Sequence, residues 1–225
     1  MKKKVAITIN DVIRRYYDTF KEVYNVYLDE EDQFNDEKIE RKEDFEFGIL
    51  DDEGDIQEIT ENKIEKKILN LEGKVDPMYI TSKIEFESKD FFLRFLYEQM
   101  SFEIGAKTNV TYKDVINDFH ELQNHFNSKG IVLDLVSMEV GNSKPATLFF
   151  LSREKCKLNN LRFVSSYEEI WEDYKMIITA DNFIIEKKPK NKKLLRIETE
   201  NNKELKQGKK FNNLKEIVNY LKNGK

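Results

Sequence analysis

The chain has 225 residues, 39% of them hydrophobic, with 16 Phe and 10 Tyr. That much apolar side chain can bury a core, which excludes a globally disordered protein. Charged residues reach 36%, but the signs nearly balance at a net −5, so the basic excess of a general nucleic-acid binder is missing.

The chain opens MKKK, and then runs through an apolar stretch from Val5 to Ile9 that is too short for a signal-peptide core. No run approaches the roughly 20 apolar residues of a membrane span. A soluble protein made in a reducing compartment is expected. Residues 4–9, KVAITI, read as a buried central strand. Asn10 and Asp11 end it and can cap the next segment. Val12, Tyr16, Phe20, Val23 and Tyr27 recur at spacings of three and four, the stripe of an amphipathic helix.

Residues 29–67 are densely charged and read as a solvated face or an extended arm. Within them Phe45, Phe47 and Ile49 alternate like a short strand, and Asp52–Asp55 (DEGD) reads as a turn. The acidic spacing there does not match a calcium loop. Asp90–Met100 reads as a buried helix. Thr111–Phe126 carries Val115, Ile116, Phe119, Leu122 and Phe126 at helical spacing, with Thr111 and Asp114 as a capped start and Gly130 beyond its end. The only histidines, His120 and His125, are five apart, which does not match the four-residue spacing of paired metal ligands. No zinc or other metal site is expected.

From residue 131 strands and helices alternate. Ile131–Val136 reads as a strand, and Pro145 suits the first turn of an apolar helix. Cys156, the only cysteine, excludes an intrachain disulfide and reads as a small apolar filler. Leu161–Val164, Met176–Thr179 and Leu194–Ile197 read as strands, Tyr167–Tyr174 and Leu214–Leu221 as helices. This alternation predicts an α/β fold, a Rossmann-like parallel sheet with helices on both faces. The first strand and the last third share that sheet. Residues 1–27 and 131–225 are therefore assigned to the core, and 28–130 to a mostly helical cap or insertion.

The order of these segments resembles the haloacid-dehalogenase-like (HAD-like) superfamily, in particular its small 5′-nucleotidase-type members with an inserted cap. Active members carry Asp-x-Asp after the first strand, and the matching positions here are Thr8, Ile9 and Asn10, with Asp11 and Val12 next in line. The second motif, a strand ending in Ser or Thr, fits Ser137. The third, a Lys by the helix after that strand, fits Lys144. The fourth, an acidic loop after a later strand, fits Asp181 with Asn182 beside it.

The resemblance implies chemistry that these residues do not supply. The family's first Asp attacks phosphorus and its second is the general acid and base. Thr8 is neutral and Asn10 donates no acidic proton, so no catalytic residue is expected. No cofactor is expected either, Mg²⁺ entering only if the chain is after all active. Asp11 reads equally well as a helix cap or as a functional group. Thr8, Ser137, Lys144 and the first helix's N-terminus are expected to form a mild anion site.

The runs FLRFLYEQMSFEI (Phe92–Ile104) and PATLFFLSREKCKLNNLRFVSSYEEIWEDYKMIITADN (Pro145–Asn182) further resemble HAD-like proteins of tailed bacteriophages, including crAss-like phages. That implies an inactive HAD-like protein made in the bacterial cytoplasm and built into a virion, in the neck or tail. It would act through contacts with other virion or assembly proteins, as a homo-oligomer or ring. It would touch no membrane and make no specific nucleic-acid contact. The alternative is a phage-encoded 5′-nucleotidase or phosphatase with an altered first motif. A ligand-sensing relative without catalysis is the third reading.

Overall fold

The computed structural model describes residues 4–27, 88–164 and 166–223. The extended segment and turn expected around Phe45–Asp55, and the arm 29–67, lie outside them. By contacts the chain divides into one compact unit, Met1–Phe20 with Leu71–Lys225, and a second, Lys21–Asn70.

Six parallel strands form one sheet: β1 (Lys4–Thr8), β2 (Val132–Ser137), β3 (Leu161–Phe163), β4 (Met176–Thr179), β5 (Lys193–Ile197) and β6 (Lys209–Phe211). Their order is β3-β2-β1-β4-β5-β6, the doubly wound order of a Rossmann-like fold. β1 is central: Val5 pairs Leu133 of β2 on one side and Met176 of β4 on the other. Its near-continuous apolar run suits a strand buried on both faces.

Alternation within the strands separates two apolar layers. Val5, Ile7, Leu133, Leu135, Ile178 and Leu195 point into one. Ala6, Val136, Ile177 and Leu194 point into the other. The first layer is covered by α4 (Val115–Ser128) and α8 (Leu214–Lys222) through Phe119, Leu122, Phe126, Ile217 and Val218. The second is covered by α6 (Tyr167–Asp173) and α7 (Asn182–Glu186) through Ile170, Trp171, Ile184 and Ile185. The Trp171 indole donates to the Ile184 carbonyl at 3.2 Å, joining the two helices.

Helix α4 falls inside the segment 28–130 that the sequence assigns to the insertion, yet its apolar stripe lies in the sheet's core. It is the helix crossing from β1 to β2. Its predicted cap is also different. The Asp114 side chain makes no capping bond, and the Thr111 hydroxyl donates instead to the Val12 carbonyl at 3.0 Å, tying the approach to α4 onto the turn after β1. Among the described residues the remaining helices are α1 (residues 16–27), α2 (Lys89–Arg94), α3 (Ser101–Gly105) and α5 (Ser143–Arg153). A π-helical turn, Phe95–Gln99, links α2 to α3. Val12 of the predicted stripe lies ahead of α1, in the turn. Among the described residues no helix is long and apolar enough to cross a membrane.

Candidate functional site

The strand order reverses direction at β1, where β2 lies on one side and β4 on the other. In open α/β sheets the crevice beyond the strand C-termini at this point is where ligands bind. The loops after β1, β2, β4 and β5 converge here and enclose a partly open cavity of about 90 Å³.

The loop after β1 is a tight turn built on one carbonyl. Ile9 O accepts from the backbone N–H of Val12, Ile13 and Arg14. Asp11 takes a left-handed conformation (φ 57°), which Asp tolerates better than most residues because its short side chain can bond locally. Its Oδ1 accepts from the Tyr17 backbone N–H at 3.1 Å, capping the start of α1. Asp11 therefore reaches the first turn of α1 from five residues ahead of it rather than as the residue immediately before the helix, and it also lines the cavity.

Arg14, completely buried, organises the wall. Its Nε donates to Asn10 Oδ1 at 2.8 Å, and its Nη1 to the Gly105 carbonyl at 2.8 Å and Thr147 Oγ1 at 3.0 Å. Its Nη2 pairs with Glu139 Oε1. The guanidinium lies 4.9 Å from the Tyr16 ring centroid and 5.7 Å from that of Phe150. Glu139 is 3% exposed, and its second oxygen, Oε2, is buried without a hydrogen-bond partner. Gly105 lets α3 approach this cluster, since a Cβ there would stand 3.2 Å from the Ala146 Cβ.

On the β4 side, Asp181 Oδ1 accepts from Ile184 N at 3.0 Å and caps α7. Asp181 and Asp11 keep some solvent contact but sit deep enough to be strongly desolvated. Burial pushes the carboxyls of both up to about 6, against the lowering effect of the backbone N–H groups they accept from. Their mutual repulsion adds a smaller upward push on Asp11. Leu96 and Tyr97 of the π-helical turn close the opposite side, a placement often associated with functional sites.

Of the residues singled out from sequence, Asn10, Asp11, Asp181 and Asn182 line this cavity. Thr8 and Ser137 lie beneath it at the ends of β1 and β2, 5% and 4% exposed. The Thr8 hydroxyl shares a 2.9 Å hydrogen bond with the Thr179 hydroxyl. Lys144 does not line the cavity. It is exposed on α5 with its ammonium 5.5 Å from the Phe163 ring centroid. The expected anion site is therefore not assembled: its one cation is elsewhere, the N-terminus of α1 is capped by a carboxylate, and the lining is acidic.

The Mg²⁺ implied by the HAD-like resemblance does not fit these residues. The first-motif positions hold a hydroxyl bonded to Thr179 and a carboxamide bonded to Arg14. Among the described residues no three His, Cys, Asp or Glu side chains converge in a metal-holding group.

Sequence reasoning missed Arg14, Glu139, Tyr16 and Tyr97 as site residues. Glu139 had a usable signal, being an acid directly after a strand ending beside β1. Arg14 had a weaker one, a cation set among Val12, Ile13, Tyr16 and Tyr17. No family model matches the sequence, and a search of curated proteins finds no match.

Proposed function

We propose that this chain is a HAD-like protein without phosphatase chemistry, serving as a structural or assembly component of a phage particle, in its neck or tail. The observation that carries the first half is the state of the first-motif positions. A nucleophile and an acid must be free to meet substrate. Here the Thr8 hydroxyl is buried against Thr179, and the Asn10 carboxamide is held by Arg14. The central position of β1, with Ser137 ending β2 and Asp181 just past β4, supports the HAD-like reading.

The second half is supported by an apolar patch. Phe102 on α3 and Phe149 on α5 pack with ring centroids 5.1 Å apart and remain 45% and 48% exposed, beside Leu148 at 52%. Helix α5 buries Ala146, Thr147, Phe150 and Leu151 on its inner side while Leu148 and Phe149 face out. Clustered exposed aromatics of this kind mark protein contacts. The two runs that carry the phage resemblance, Phe92–Ile104 and Pro145–Asn182, meet at this patch. Detection of the chain in purified particles, with self-association in gel filtration lost on Phe149→Ser, is the expected result. A strict monomer absent from particles contradicts it.

A further inference from the structure

The cavity has a chemical bias unrelated to phosphate. Among its described lining residues Asp11, Glu139 and Asp181 are carboxylates, and none is Lys, Arg or His. The nearest guanidinium, Arg14, has each of its three nitrogens committed to protein acceptors. It neutralises one oxygen of Glu139 and leaves Oε2 buried and unpaired. An unpaired buried carboxylate oxygen is costly, and a donor entering the cavity would satisfy it. Aromatic side chains complete the walls, among them Tyr16, Tyr97 and the stacked pair Tyr167–Phe183, 5.3 Å apart. Aromatic faces attract cations and accept alkyl chains.

A divalent metal and an organic cation make different demands. Mg²⁺ requires near-octahedral oxygen ligands at about 2.1 Å, which this set does not offer. A primary ammonium has three N–H donors that reach acceptors about 2.9 Å away, spread around it. The volume, about 90 Å³, is several times the roughly 10–15 Å³ that admits one water, room for an ammonium and a few methylenes.

We propose that the pocket whose lining includes Asp11, Glu139 and Asp181 binds a primary alkylammonium group, its alkyl stem against the tyrosines. The group is either the end of a free aliphatic amine or a lysine side chain. This goes beyond the assembly role and does not depend on it.

The test is calorimetric titration of the full chain with putrescine and with Nα-acetyl-lysine amide, against magnesium chloride and inorganic phosphate. It is repeated with Asp11→Asn and Asp181→Asn, which keep an acceptor for the Tyr17 and Ile184 N–H groups, and circular dichroism checks their fold. The expected result is saturable binding of at least one amine, weakened roughly tenfold by each substitution. Preference between the amines identifies the source of the ammonium. Absence of saturable amine binding overturns the proposal. So does amine binding indifferent to both substitutions, or magnesium binding more tightly at the same carboxylates.

Discussion

Two buried acids separated by five residues behave differently, and the contrast distinguishes scaffold from site. Asp134, in the middle of β2, is 2% exposed, and Glu139, just past the strand's end, is 3% exposed. Asp134 has both oxygens satisfied, by the Tyr174 hydroxyl at 2.7 Å and the Asn160 amide at 3.0 Å. Tyr174 in turn accepts from Arg162 at 3.0 Å. Glu139 has one oxygen on Arg14 and one on nothing. Buried polar groups in folded proteins are nearly always paired. A closed network at Asp134 is what structure alone requires, and the open valence at Glu139 lies where ligands bind to such sheets.

The contrast is open to mutation. Glu139→Ala leaves the Arg14 charge buried and unpaired, and is expected to cost about 3–5 kcal/mol in chemical denaturation. Replacing both partners with apolar residues, Arg14→Met with Glu139→Leu, is expected to cost far less. Equal losses would show that the pair is not the source of the penalty. On the scaffold side, Tyr174→Phe strands one oxygen of Asp134 and is expected to cost about 1–3 kcal/mol, with no change in amine binding at the cavity.

A smaller effect has the opposite sign. Burial raises Asp11 and Asp181 from 3.8 to about 6, so the folded state holds these protons more tightly than the unfolded chain. Each contribution is most favourable below pH 4. It falls as pH rises through the window from 3.8 to about 6, and stays low above it. Asp181→Asn preserves the cap of α7, since Asn caps as well as Asp, and removes the desolvated charge. It is expected to raise stability at pH 7 by about 1–2 kcal/mol, discounted for the solvent the carboxylate still meets, and to leave stability at pH 4 unchanged. Parallel stability curves for variant and wild type from pH 4 to 7 would contradict the burial argument. The smallest effect belongs to Phe149→Ser, a surface change expected to shift stability by less than about 0.5 kcal/mol while abolishing self-association.

The sheet was legible because parallel strands buried on both faces are written as runs of Val, Ile and Leu, and Met176–Thr179 matches the prediction residue for residue. Strand β6, Lys209–Phe211, was not, because it is a short edge strand with two lysines and one buried side chain, Phe211. Lysine on an edge discourages further pairing and erases the apolar signal. Helix α7 was hidden for the opposite reason: Asn182–Glu186 is rich in β-branched Ile and too short for a helical period, and only the Asp181 cap marks its start. The role of α4 was obscured by the span of chain before it, since sequence distance from β1 suggested an insertion where packing places a core helix. At the site, residues in the turn after β1 and in the loop after β4 were found through motif positions. The Arg14–Glu139 pair is formed by residues 125 apart, and sequence spacing carries no trace of such a contact.

The proposed lack of phosphatase chemistry rests on Thr8 and Asn10, and phosphate release tests it most directly. The purified chain is incubated with Mg²⁺ and either p-nitrophenyl phosphate or deoxynucleoside monophosphates. Release indistinguishable from a protein-free blank is the expected result. Turnover above that blank, abolished by Thr8→Val or Asp11→Asn in a folded variant, would contradict it.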